Sequence, residues 1–335
     1  MTVLVTGGAG YIGAHIVRLA RAAGRDVVVV DDLSTGREAR VGGVPLVRID
    51  LAEPAAATGL AEVMRSFHVS AVIHLAARKR VGESIARPAW YFQQNVTGLA
   101  TVLSAMEAAQ VDQLVFSSSA AVYGNPATAV VSEDTATLPV SPYGETKLVG
   151  EWLVRDAARA WGLRGVSLRY FNVAGAGWAD LGDPEVANLI TMVLERLSRG
   201  ERPKVFGSDY PTPDGSCVRD FVHVLDLAEA HLAALAYLTR PERAWDVFNV
   251  GTGRGSSVLE VVEGLVEVTA VSAAPELTAR RAGDPASVVA SVDRIAGAMD
   301  WRARATLPEI LVSAWRAWPR HPPGAAGPAR LRTAQ

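Results

Sequence analysis

Two residues in the middle of this chain have the types and the spacing to do chemistry. Tyr143 and Lys147 form a Tyr-x-x-x-Lys pattern, and a separation of four puts both side chains on one face of a helix. A phenol titrates near a pKa of about 10, so at neutral pH it works as a base only with help, and a neighbouring ammonium favours phenolate. Of the 33 basic residues only three are lysines, at positions 79, 147 and 204, so Lys147 departs from the chain's habit of using arginine. An ammonium is a compact point charge that can also hydrogen-bond a ligand hydroxyl; a guanidinium is the wrong shape for both tasks. The bland alternative is a surface helix pair. Upstream, Phe116-Ser117-Ser118-Ser119-Ala120-Ala121-Val122-Tyr123-Gly124 ends an apolar run with hydroxyls. Ligands of open α/β sheets sit beyond the carboxyl ends of strands, which makes Ser119 the candidate to share a proton with a reacting oxygen. A plain serine-rich turn is the other reading, and Tyr123 is expected in the core.

A second constellation opens the chain. Gly7, Gly10 and Gly13 stand as Gly-x-x-Gly-x-x-Gly between a strand and a helix. Glycines there permit a tight turn and let backbone N–H groups approach a pyrophosphate, whose charge the helix N-terminus stabilises. The next strand ends in Asp31, near the spacing at which a carboxylate meets a ribose 2′-hydroxyl. Asp31 would repel a 2′-phosphate and Asp32 adds to the repulsion, so the expected cofactor is NAD and not NADP. Asp50, after the third strand, either meets an adenine edge or caps a helix.

These residues need a scaffold to bring them together. Thr2–Thr6 is a short apolar run of the kind found in buried parallel strands, and an amphipathic helix from about Tyr11 to Ala23 follows, with Gly24 as its terminator. Further apolar runs near 27–31, 46–50, 69–76, 112–118 and 163–169 alternate with helical patterns. That alternation predicts an α/β fold with a Rossmann-type doubly wound parallel sheet. From about residue 175 the rhythm is less regular, which points to a smaller α/β C-terminal substrate lobe. The expected division is 1–172 and 173–318, with elements interleaved between the two and a disordered tail at 319–335.

The bulk composition narrows the function classes. A net charge of −2 without a basic cluster argues against nucleic acid as a partner. The single Cys217 excludes an internal disulfide framework, suits a reducing compartment and reads as a small packed filler. No run of about 18 apolar residues appears, and the first residues already form a strand instead of a leader, so the cytosol is expected, with no membrane partner. The six histidines show no metal-ligand spacing; His74 and His223 read as core or edge residues.

Several stretches together resemble the UDP-glucose 4-epimerase family, a branch of the extended short-chain dehydrogenases/reductases. They are Thr6–Gly13, Val72–Ser84, Phe116–Gly124, Ser141–Lys147, Leu168–Asn172, Asp209–Gly215 with Arg219-Asp220, and Arg281–Asp284. The resemblance runs from residue 2 to about 318. It implies Tyr143 as catalytic base, Lys147 as its partner and Ser119 as the proton-sharing hydroxyl. It further implies NAD contacts at Tyr11, Ile12, Asp31, Asp32, Leu33, Asp50, Leu51, Leu75, Ala76, Ala77, Lys79, Asn95 and Phe171. Nucleotide-sugar contacts are implied at Asn172, Asn188, Leu189, Lys204, Val205, Phe206, Arg219, Arg281, Asp284 and Val288. Lys204 matches only a backbone-type contact, and solvated surface is its preferred reading. For Arg219 and Arg281 the plain alternative is a surface ion pair. A homodimer is implied as well.

The implied reaction is redox-neutral: hydride leaves C4 of a UDP-hexose for NAD, and the 4-keto sugar turns over and takes it back on the other face. The chain departs from the family in places. Val173-Ala174 replace a usual proline, and Pro285 follows Gly283-Asp284 where an apolar residue is common. Val288 stands where the family carries a bulky aromatic or a small residue beside the sugar; a small side chain would admit N-acetylated sugars. Dehydratases of the superfamily carry an Asp-Glu pair where this chain has Ala120 and Ala121, which argues against elimination. A uronate epimerase or decarboxylase, and a non-catalytic NAD sensor, are the remaining alternatives; sensors generally lack the Tyr/Lys pair.

Overall fold

A computed structural model describes residues 1–240, 244–281 and 283–319. The expected tail beyond 319 therefore lies outside the described residues. The strands of the first half are β1 (Thr2–Thr6), β2 (Asp26–Asp31), β3 (Leu46–Arg48), β4 (Val69–His74), β5 (Gln113–Ser119), β6 (Val130–Val131) and β7 (Arg164–Tyr170). The second half adds β8 (Asn172–Ala174), β9 (Lys204–Phe206), β10 (Val218–His223), β11 (Trp245–Val250), β12 (Gly255–Ser257), β13 (Glu276–Thr278) and β14 (Ser287–Ala290). The helices are α1 (Tyr11–Ala22), α2 (Ala56–Ser66), α3 (Val81–Ala86), α4 (Pro88–Phe92), α5 (Gly98–Ala109) and α6 (Pro142–Trp161). They continue with α7 (Leu189–Ser198), α8 (Val224–Tyr237), α9 (Val258–Thr269), α10 (Asp293–Met299) and α11 (Leu307–Arg316). Among them no helix is long and apolar enough to cross a membrane.

The main sheet has seven strands in the order β11-β7-β5-β4-β1-β2-β3, and every pairing in it is parallel. Its strands read as continuous apolar runs because both faces are covered. Val3 and Val5 pack with Ile16 of α1 and Leu227 of α8 on one face, while Leu4 packs with Met64 of α2 and Leu99 of α5 on the other. Successive side chains of one strand thus serve two cores. The strand order reverses between β1 and β4, which opens a crevice beyond their carboxyl ends.

The expected interleaving takes a specific form. β11, from the second half of the chain, closes the main sheet beside β7, and α8 and α10 contribute to its core. The remainder of the second half builds a mixed sheet around β10, which pairs β12, β14 and β8, with β6 beyond β14. Helices α7, α9 and α11 enclose a separate apolar cluster around Trp315 and Leu265. Cys217 is buried at the edge of this region, the packed filler that was expected.

Candidate active site

The turn between β1 and α1 is shaped for close approach. Gly7 has φ +68°, and a Cβ there would come within 2.7 Å of the Ala76 nitrogen. A Cβ on Gly13 would collide with the Gly7 carbonyl oxygen. No side chain caps the start of α1 at Gly10, so its amide dipoles remain available to an anion. At the end of β2, Asp31 accepts hydrogen bonds from Ala9 N at 3.0 Å and Leu33 N at 2.9 Å. Burial raises its pKa, and those backbone donors pull it back. Each carboxylate oxygen keeps lone-pair capacity for a ligand hydroxyl. Leu33 is turned to φ +58°, a left-handed conformation unusual for leucine, immediately after the carboxylate pair. This cradle, uncapped helix end and carboxylate fit a dinucleotide.

A cleft of about 390 Å³ runs across the strand ends. Gly7, Gly10, Tyr11, Ile12 and Gly13 form one wall, and Asp31, Asp32, Asp50 and Leu51 continue it toward the sheet edge. Leu75, Ala76, Ala77 and Lys79 follow β4 on the other side, and Tyr143 and Lys147 close the inner end. Asp50 is not a helix cap: α2 begins only at Ala56, and the carboxylate of Asp50 instead accepts from Ala52 N in a tight turn. Lys79 pairs with Glu185 at 3.3 Å across the cleft.

Three expected cofactor contacts stand outside this lining, for identifiable reasons. Leu33 packs against the core below the turn. Phe171 is buried in a cluster with Val122, Tyr123 and Leu148. Asn95 spends its amide on the backbone of Arg78, which donates to Oδ1 at 2.7 Å and accepts from Nδ2 at 3.0 Å, and on Thr146. These bonds position the loop after β4.

The inner end brings the catalytic candidates together. Ser141 caps α6, accepting from Gly144 N, and Pro142 fills the first helical position. A Cβ on Gly144 would lie 2.6 Å from the Ala121 carbonyl oxygen, so the start of α6 presses directly on the turn after Ser119. That contact places Tyr143 in hydrogen-bonding reach of the Ser119 side chain. Burial raises the phenol's pKa and the Ser119 bond lowers it. Lys147 is buried and donates to the Ser117 carbonyl at 2.7 Å, with Nζ 6.0 Å from the Tyr143 ring centre. Burial brings its pKa down to about 7.

Sequence reasoning missed several residues here. Tyr170 and Ser117 line the inner end, and the Tyr170 hydroxyl lies 2.5 Å from His231 Nε2. Arg78, Ser34, Trp90 and Gln94 line the outer end. No spacing signals them, and one arginine among so many carries little information. His74 proves to be a core residue on Thr6 Oγ1, and His223 caps α8. Tyr123 is buried as expected, its hydroxyl on Asn249 at 2.6 Å.

The expected nucleotide-sugar contacts fall outside the lining of that cleft, in two groups. Asn172, Arg219 and Val288 lie on adjacent strands, since Asn172 pairs with Phe221 and Arg219 with Val288. Arg219 donates to the Pro285 carbonyl at 2.8 Å and lies 3.9 Å from Asp284, so the unusual Pro285 helps orient the guanidinium. Arg281 lies 3.7 Å above the Phe206 ring. Four other candidates have side chains that meet other parts of the protein. Val205 is fully buried and Leu189 packs on the lobe's core. Lys204 pairs with Glu276 at 3.8 Å, a surface contact. Asn188 caps α7, accepting from Thr191 N and donating to Asp183 at 2.8 Å. For Val205, Leu189 and Asn188 these are packing contacts or hydrogen bonds that spacing alone does not show.

Comparison with known proteins agrees with this geometry. The NAD dependent epimerase/dehydratase family matches residues 3–251. A UDP-glucose 4-epimerase from Azospirillum brasilense is 44% identical over 324 residues, covering 95% of this chain and 92% of the relative. The crystal structure of UDP-glucose 4-epimerase from Brucella ovis in complex with NAD superposes with TM-score 0.89 at 39% identity, covering 94% of this chain and 98% of that one. That of UDP-glucose-4-epimerase from Stenotrophomonas maltophila, with bound NAD and formylated UDP-arabinopyranose, gives 0.88 at 38%, covering 95% and 97%. With a family match over most of its length and relatives this similar, the chain belongs to the NAD dependent epimerase/dehydratase family, within its UDP-glucose 4-epimerase group.

Proposed function

We propose that this protein interconverts UDP-glucose and UDP-galactose by NAD-dependent epimerisation at C4. The observation that carries the reading is Tyr143 with Lys147 at the inner end of a dinucleotide-shaped cleft, with Ser119 against the phenol. NAD, when bound, supplies the acceptor for the C4 hydride and returns it. Tyr143 takes the proton of the 4-hydroxyl on its phenolic oxygen and gives it back, and Ser119 shares that proton through its hydrogen bond to Tyr143. Lys147, anchored on the Ser117 carbonyl, keeps its remaining N–H groups for a ribose and its charge for the phenolate. Ala120 and Ala121 offer no acid or base for eliminating water. Arg219, with Arg281 on Phe206, supports binding of a diphosphate and its nucleoside. Val288, a small half-buried side chain opposite Arg219, supports acceptance of N-acetylated sugars as well.

The test is incubation of the purified protein with UDP-galactose, without added cofactor, following the anomeric proton signals. UDP-glucose is the expected product. If UDP-galactose is untouched while UDP-N-acetylgalactosamine or UDP-xylose equilibrates, the substrate assignment is wrong and the site assignment stands. The same reading has residues 1–172 carrying the cofactor and 173–318 the nucleotide sugar. It also has the protein working in the cytosol as a homodimer. The lone thiol of Cys217 suits the first of these, and exposed Ile85 and Trp152 offer apolar surface for the second.

A further inference from the structure

The outer end of the cofactor cleft holds a cation fixed from both sides. The peptide of Arg78 is clamped by Asn95, as described above. Its guanidinium donates to Ser34 Oγ at 2.6 Å, to Asp32 Oδ2 at 2.8 Å, and to Gln94 Oε1 at 2.9 Å and 3.1 Å. The Trp90 ring lies 5.2 Å from the guanidinium carbon. Asp32 and Ser34 belong to the wall that follows β2, whereas Gln94 and Trp90 belong to the helical wall after α3, so Arg78 bridges the cleft.

The position of this charge matters because Asp31 lines the same end. A carboxylate after the second strand takes ribose hydroxyls, whereas an arginine near that ribose is the group that accommodates a 2′-phosphate. The site therefore contains the recognition elements for both dinucleotides within a few residues. Asp31 repels a 2′-phosphate, and whether the guanidinium is free to offset that repulsion bears on the choice between them. Asp32 cancels its charge, and with Ser34 and Gln94 it uses up most of the fork of N–H donors. Of its hydrogen-bond partners only Asp32 is charged, and Asp31 beside it acts on the guanidinium through space.

We propose that Asp32 is a cofactor-specificity residue acting through Arg78: by pinning the guanidinium it keeps the site exclusive to NAD, and once unpinned Arg78 receives the 2′-phosphate of NADP. This rests on the reading of the cleft as an NAD site.

The experiment incubates the purified holoenzyme with excess NADP, removes free nucleotide, and identifies the retained dinucleotide by chromatography after denaturation. The unaltered protein is expected to keep NAD. Asp32→Asn and Asp32→Ser are each expected to raise the retained NADP/NAD ratio by about tenfold or more, because a charge-assisted phosphate contact is gained. The gain should fade at high salt and vanish in D32N/R78M. A gain that survives in D32N/R78M would show Asp32 acting by its own charge and overturn the role of Arg78. No gain in either Asp32 variant, with NAD still retained as proof of an intact site, overturns the proposal outright. Unaltered protein that carries no NAD and takes up none would instead overturn the cofactor assignment of the cleft.

Discussion

Tyr143 and Lys147 are displaced in opposite directions by the same cause. Burial disfavours any charge, so it raises the phenol and brings the ammonium down to about 7, where its charged and neutral forms are both populated at neutral pH. Together they can exchange one proton, and a cationic ring beside them favours the phenolate. Removing the ammonium therefore raises the phenol's pKa further. In Lys147→Met the acidic limb of the pH–rate profile should move to higher pH and turnover should fall roughly a hundred-fold or more. An unmoved limb, measured on protein that still holds NAD, would mean that Lys147 does not act on the phenol. The other buried cation of this region, Arg169, takes the opposite solution. Its guanidinium is paired with Glu151 at 2.7 Å, with both side chains almost wholly buried. Burial opposes its charge but Glu151 prevails, so it stays ionised and structural.

Elements set the distance between the reacting groups. The start of α6 is fixed by the Ser141 cap and by the contact of Gly144 with the Ala121 carbonyl. Gly144→Ala inserts a methyl where there is no room, so helix and turn must separate by several tenths of an ångström or more. Tyr143 then leaves Ser119, and misplacement on that scale costs turnover about ten- to a hundred-fold. The expected result is a lowered kcat with the helical circular-dichroism signal retained; an unaffected kcat would show that Ser119 need not touch Tyr143. The helix start itself was legible in Ser141-Pro142, since cap and first-turn preferences are local. The glycine's reason was not legible, because its neighbour comes from another element.

At the scale of the whole molecule, four buried histidines link stability to acid, and one of them, His223, is lowered chiefly by burial. His15 and His231 are lowered to about 4 and His74 to about 3, each chiefly by burial. In the unfolded chain the same groups titrate near about 6.5. Between there and the folded values the unfolded state binds more protons, so stability rises with pH through that window and is lost as pH falls. The melting temperature is therefore expected to fall between pH 7 and pH 5, above the range where most carboxylates titrate. A flat Tm over that interval would show that the rings are solvated. His231 meets Tyr170 beneath the inner end of the cleft, so the same acid sensitivity reaches the site.

The sequence by itself determined the periodic and the local features. Alternating apolar runs specify a doubly wound sheet, the glycine turn and Asp31 mark a dinucleotide end, and Tyr143 with Lys147 marks the proposed proton-transfer pair, because each depends on spacing along one element or one turn. Only the tertiary structure decided which residues line the cleft. It left Asn95, Phe171, Asn188 and Val205 outside the lining of the cleft, in contact with other parts of the fold, and brought Arg78, Trp90 and Tyr170 into it. Hydrogen bonds between distant segments and steric room between elements are properties of the folded chain, and no pattern of neighbours along the sequence encodes them one by one.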